Sequence, residues 1–164
     1  MHTLSILALA TAVASTGLVA GIVLAYSNSV MPGLRRADDR TFVDACQRLN
    51  TAIHNPLFML VSNLALLSTA AATVLAVLAD LSPVVLVWTC AALFLYLATL
   101  AITLAVNVPM NNRLIAAGHP DTVPDRLPGL RADFETRWTT MNNLRTALTT
   151  AALICQLIAL ILAR

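Results

Sequence analysis

The segment from 56 to 106, PLFMLVSNLALLSTAAATVLAVLADLSPVVLVWTCAALFLYLATLAITLAV, decides the fold, and it carries a single charged residue, Asp80. A bilayer core about 30 Å thick takes roughly 20 helical residues at about 1.5 Å each. The segment is long enough for two crossings, Pro56–Ala79 and Pro83–Val106. Asp80-Leu81-Ser82-Pro83 is the natural place for it to turn: Asp and Ser are capping residues, and proline readily opens a helix. The spacing predicts a tight antiparallel hairpin of two transmembrane helices. The second can run on through Pro109 to Leu114 with a kink, because proline lacks the amide hydrogen and crowds the preceding turn.

Upstream, the chain is uncharged from Thr3 to Leu34. That exceeds the apolar core of a cleaved signal, and no Lys or Arg precedes it, so a retained transmembrane helix is expected over Leu4–Ser27. Gly17 and Gly21 form a small-xxx-small pair that would let a neighbouring backbone approach. Downstream, a fourth helix is expected from Arg131 or Asp133 to about Ala163, with Arg145 interrupting its apolar part. Between the first two crossings, Asp38-Asp39-Arg40-Thr41 offers caps, and Phe42, Ala45, Cys46, Leu49 and Ile53 recur at helical spacing. This predicts an amphipathic connecting helix, at the interface or against the bundle mouth. Gly118, Pro120, Pro124, Pro128 and Gly129 predict a loop in the middle of the second long connection.

The expected fold is therefore all-α: one domain over residues 1–164, an integral membrane four-helix bundle with an amphipathic helix between transmembrane helices 1 and 2. Composition agrees: 59% of residues are apolar and 11% charged, with a mean hydropathy of +0.80, where soluble domains are about a quarter charged. A net charge of +2, with no basic run interleaved with aromatics, argues against nucleic acid as a partner. Membrane lipid is the expected surrounding, and a homo-oligomer is open. Cys46, Cys90 and Cys155 show no metal-binding spacing, and His2, His54 and His119 are scattered, so no metal is expected.

Every basic residue is arginine. Arg35, Arg36, Arg40 and Arg48 fall in the first connection; Arg113, Arg126, Arg131 and Arg137 fall in the third; the hairpin turn has none. The positive-inside rule puts the two long connections in the cytoplasm and both termini outside, in a multi-pass protein of the cytoplasmic membrane.

Polar residues of specific chemistry gather on that same side. Tyr26 and Asn28 close the first helix; Asn50 and His54 are four apart on the connecting helix; Asn55 leads into the second crossing, with Asn63 two turns inside. Asn107, Asn111 and Asn112 follow the third, and Trp138, Asn142 and Arg145 share one face of the fourth. Each asparagine could equally cap or join helices, and Tyr26 or Trp138 could anchor at the interface. An arginine so deep in an apolar helix must snorkel, pair or face a polar cavity, and its rigid fork of donors suits carboxylates or enolates. His54 is the best candidate general base among these groups, because imidazole exchanges protons near neutral pH.

Four pieces of the sequence, AYSNSVMPGLRR at 25–36, QRLNTAIHNPLF at 47–58, NVPMNNRL at 107–114 and RWTTMNNLRTA at 137–147, give the chain a family resemblance. It resembles the DUF1772 family of small four-helix membrane proteins, which includes the anthrone oxygenases. The family pattern falls on Pro32, Asn50, Asn55, Pro56, Asn107, Pro109, Asn111, Trp138, Asn142 and Arg145, with His54 beside it.

The resemblance implies oxidation of an activated methylene of a polycyclic phenol by dioxygen as co-substrate, without flavin or haem. Catalytic roles would then fall to His54 and Arg145. Tyr26, Asn50, Asn55, Asn107, Asn111, Trp138 and Asn142 would contact a hydrophobic aromatic ligand. The alternatives are a non-enzymatic small-molecule binder or scaffold, whose Asn/Arg network holds the helices, and a small oligomeric transporter.

Overall fold

The computed structural model describes residues 1–163. Four long helices, α1 (His2–Leu34), α3 (Pro56–Leu78), α4 (Pro83–Ala116) and α5 (Leu127–Leu162), are joined by a shorter α2 (Asp39–Ala52). Among the described residues there is no strand. The four long helices are each long and apolar enough to cross a membrane, and the chain is an all-α membrane bundle.

Around the bundle α1 packs on α3 and α5, and α5 packs on α4; the ring closes through a thinner α3–α4 contact. Small side chains make the close approaches: Ala12, Ala65, Ala92, Ala152 and Ala159 are fully buried. The glycine pair expected to do this is not tight. A methyl added at Gly17 would meet only Leu153 at 3.9 Å, and one at Gly21 would meet nothing within 4 Å. Polar cross-links do more. Gln156 Nε2 donates to the Thr16 hydroxyl at 3.1 Å and the Thr69 hydroxyl at 2.8 Å, tying α5 to α1 and α3 in the middle of the apolar layer.

The hairpin forms where expected. Asp80 takes a positive φ of 50°, a conformation that Asp tolerates better than most residues, and Leu81 N–H returns to the Ala76 carbonyl at 3.0 Å. Ser82 holds the position before Pro83 but makes no side-chain cap bond.

At the opposite end the helices run past the expected limits. α1 continues to Leu34 rather than stopping at Ser27, and α5 begins at Leu127 rather than Arg131. The expected loop shrinks to residues 117–126, with two short 3-10 turns. Pro128 and Gly129 lie in the first turn of α5, where a missing amide hydrogen costs nothing.

Both proline-containing extensions carry the same distortion. A π-turn spans Tyr26–Val30 and another spans Thr103–Asn107, each ending two residues before Pro32 or Pro109. The kink expected at Pro109 thus takes the form of a widened turn ahead of it. An inserted residue relieves the clash between the proline ring and the preceding carbonyl.

α2 lies across the bundle mouth. Asp38 caps it, accepting from Thr41 N–H at 2.9 Å. Phe42, Val43 and Cys46 bury against Met31, Leu114, Leu127, Phe134 and Trp138. Arg131 fastens the connection: Nη1 donates to the Ala37 carbonyl and to Asp39, Nη2 to the Arg35 carbonyl, and Nε to Glu135.

Candidate functional site

Beneath α2 the four long helices enclose a cavity of about 340 Å³, within the usual range for small-molecule sites. Val19, Val23, Phe58, Leu66 and Leu100 make its walls apolar, and the polar groups gather toward the mouth.

Arg145 is the centre of that polar end. It shares the inner face of α5 with Asn142 and Trp138. Nη1 donates to the Thr103 hydroxyl at 3.1 Å, and Nη2 to Asn142 Oδ1 at 2.6 Å. The guanidinium carbon stands 5.9 Å from the centre of the Trp138 ring, and Nε is buried without a partner. The ion pairs of the described residues all lie elsewhere. A cation is therefore held inside an apolar bundle by neutral groups, with part of its five-donor capacity unspent.

The neighbours of Arg145 are themselves fixed. Asn142 is 1% exposed; its Nδ2 donates to the Val23 carbonyl at 3.0 Å and to the Ser27 hydroxyl at 2.8 Å, so that only Oδ1 faces the guanidinium. Trp138 Nε1 donates to Asn111 Oδ1 at 2.7 Å, and the Trp138 carbonyl accepts from Asn107 Nδ2 at 3.4 Å. The Trp138 ring stacks on Phe134, 5.7 Å between centroids, and tilts against Tyr26 at 5.8 Å.

The two π-turns open with Tyr26 and Thr103, which α-helical spacing already places on the cavity wall, and the second closes with Asn107 on the same wall. A π-turn adds a residue and rotates the downstream side chains by about 100° relative to an unbroken α-helix. Asn107 and Asn111 engage Trp138, and Thr103 meets the guanidinium.

His54 sits at the rim, just beyond the end of α2 and open to solvent. Its Nδ1 lies 2.8 Å from the Asn50 carbonyl. A carbonyl only accepts, so Nδ1 carries the hydrogen and Nε2 of the neutral ring keeps its lone pair. Asn50 itself is buried on the cavity wall.

Of the residues anticipated from sequence, Tyr26, Asn50, His54, Asn107, Asn111, Trp138, Asn142 and Arg145 border this one cavity. Asn55 does not. Its Oδ1 accepts from Phe58 N–H at 3.0 Å and its Nδ2 donates to the Ala52 carbonyl at 2.9 Å. It caps α3, with both ends of its amide engaged there. Tyr96, Thr99 and Thr103 also face the cavity and escaped the sequence reading. Their spacing of three and four, continued by Asn107, is a polar stripe on an otherwise apolar helix, and could have pointed to them.

Cys46 is buried beside the mouth, and burial, with Glu135 adding to it, pushes its thiol up to about 12. It stays protonated at neutral pH and is no nucleophile. Among the described residues, no three His, Cys, Asp or Glu side chains converge as a metal site would require.

The model of the family described as anthrone oxygenase matches residues 52–155. The chain belongs to the anthrone oxygenase family. The matched span includes His54, Asn107, Asn111, Trp138, Asn142 and Arg145, whereas Tyr26 and Asn50 precede it. No curated protein and no solved structure matches the chain. Within the anthrone oxygenase family assignment, the cavity gives the matched polar residues a common location.

Proposed function

We propose that the protein is an anthrone-oxygenase-like enzyme of the cytoplasmic membrane that oxidises an activated methylene of a polycyclic phenol to a carbonyl with dioxygen. The carrying observation is Arg145: a half-buried guanidinium without a carboxylate partner, oriented by Asn142 and Thr103 in a cavity that Tyr26 and Trp138 also line. Such a group favours a ligand that becomes anionic as it reacts. Trp138 and Tyr26 suit the flat face of a fused ring.

In the proposed reaction the phenol lies with its oxygen toward Arg145 and its methylene toward His54. His54 Nε2 takes a proton from the activated carbon, and the electron pair stays in the resulting enolate, which Arg145 stabilises. Dioxygen adds to that carbon, and the proton from His54 goes to the outer oxygen of the new peroxide. Loss of the second carbon-bound proton with cleavage of the O–O bond leaves the carbonyl and releases water. Methylene and dioxygen become carbonyl and water, a balance that calls for no external electron donor. Tyr26, Asn50, Asn107 and Asn111 bound the ring.

The test is turnover of anthrone itself by protein in lipid nanodiscs, against protein-free nanodiscs, under isotopically labelled dioxygen. One labelled oxygen in the new carbonyl at a rate above background is expected. Binding without any rise above the background rate would overturn the oxygenase reading in favour of a small-molecule binder.

A further inference from the structure

Met59 and Leu104 line the cavity, yet they are 47% and 60% exposed. The same side chains therefore touch the cavity and the lipid. They belong to α3 and α4, the neighbouring long helices with the thinnest mutual contact.

Toward the hairpin these helices are joined: Thr73 Oγ1 donates to the Thr89 carbonyl at 3.3 Å, and Tyr96 Oη to the Ser62 carbonyl at 3.0 Å. Beyond Tyr96 no hydrogen bond crosses the seam between them among the described residues, and both helices line the cavity there, with Met59 and Asn63 on one side and Thr103 and Leu104 on the other. On the water side α2 packs over the mouth with Phe42 and Val43 fully buried beneath it, and His54 stands exposed at the rim.

Asn63 stands at the lip of this seam. It lies seven residues into α3, about 10 Å from the helix start at 1.5 Å per residue. It is exposed on a face otherwise made of Leu57, Leu60, Leu64 and Leu67. Its Nδ2 is occupied by the Met59 carbonyl at 2.7 Å. An amide facing hydrocarbon is costly unless a polar group meets it, and a passing phenol is such a group.

We propose that the α3–α4 seam is the entrance by which a bilayer-dissolved aromatic substrate reaches the cavity, with Asn63 selecting molecules that carry a hydroxyl on an apolar ring. The proposal rests on the substrate class inferred above, though not on the oxidation itself. It makes the substrate a lipid-partitioned molecule delivered sideways.

A door changes rates and leaves equilibrium alone, which gives the test its form. Binding of 1,8-dihydroxyanthraquinone is followed in nanodiscs by quenching of Trp138, with Trp88→Phe as the background. Narrowing the seam with Met59→Phe plus Leu104→Phe should slow association and dissociation alike, by about tenfold, with the dissociation constant little changed. Leu104→Ala should speed both. Asn63→Leu should slow the hydroxylated probe and leave unsubstituted anthraquinone unaffected.

Unchanged rates in the narrowed variant would overturn the entrance, as would a weakened affinity without slower association. Failure of the parent protein to bind the probe would remove the site and the entrance together. Normal binding kinetics without turnover would sink only the oxygenase reading.

Discussion

Arg145, His54 and Cys46 each make a claim that one substitution or labelling experiment can check. Arg145→Lys keeps a positive charge and removes the planar fork that Thr103 and Asn142 orient. The variant should fold and lose about 10²–10³ in turnover, the usual consequence of removing a preorganised oxyanion donor. Parallel thermal melts and rate measurements check this; a destabilised protein with full activity per folded molecule would make Arg145 a structural hub. For His54→Gln the expected loss is about 10²–10⁴ in turnover, the range for a general base, with ligand affinity kept. Steady-state rates beside equilibrium binding separate the two effects. Cys46, buried and with its thiol pushed up to about 12, should resist maleimide at about pH 8 in the folded protein. Mass spectrometry before and after denaturation reads this directly, and rapid labelling of the native state would contradict the placement of α2.

At the scale of the element, the π-turns and the cap of α2 shape the site. Pro109→Ala restores an amide hydrogen and removes the ring clash, so the turn at Thr103–Asn107 can relax toward α-helix. Asn107, Val108 and Asn111, which follow the start of the turn, would then rotate relative to the cavity wall. Ligand affinity should fall by about tenfold, or about 1.4 kcal/mol, while helix content stays the same; titration and circular dichroism on one sample test this. α2 depends on Asp38, whose carboxylate is held below its ordinary 3.8 by the Thr41 amide and hydroxyl. A depressed acid contributes stability that is fully present above the ordinary value and is lost as pH falls through the lower, folded value. Acidification below about pH 4 should therefore loosen α2. Hydrogen exchange across 39–46 should rise there in the parent protein, and should already be raised at neutral pH in Asp38→Ala.

For the whole molecule, the proposed orientation follows from charge: arginines crowd both long connections, and the hairpin turn has none. A cysteine placed at Ala37 should react from the cytoplasmic side, and one at Ser82 from outside. Labelling of Ser82→Cys from the cytoplasm alone would invert the molecule and move His54 to the outer face.

Membrane helices and the hairpin could be read directly because hydrocarbon admits few alternatives: an apolar run of crossing length with no edge to pair must be helical, and Asp80 marks its turn. The gathering of Trp138, Asn142 and Arg145 on one face followed from helical periodicity alone. Asn55 could not be separated from Asn50 that way, because a cap and a cavity wall use the same amide, and only its contacts with Phe58 and Ala52 tell them apart. Nor could sequence choose whether α2 floats at the interface or covers the mouth; burial of Phe42, Val43 and Cys46 decided that. The π-turns lay beyond local reasoning for a similar reason. Proline announces that a turn must give, but not the widened form taken at Tyr26–Val30 and Thr103–Asn107. Composition and periodicity determine which segments leave water. Which side chains meet, and which of them line the cavity, depends on contacts between residues distant in the chain, and those exist only in the assembled fold.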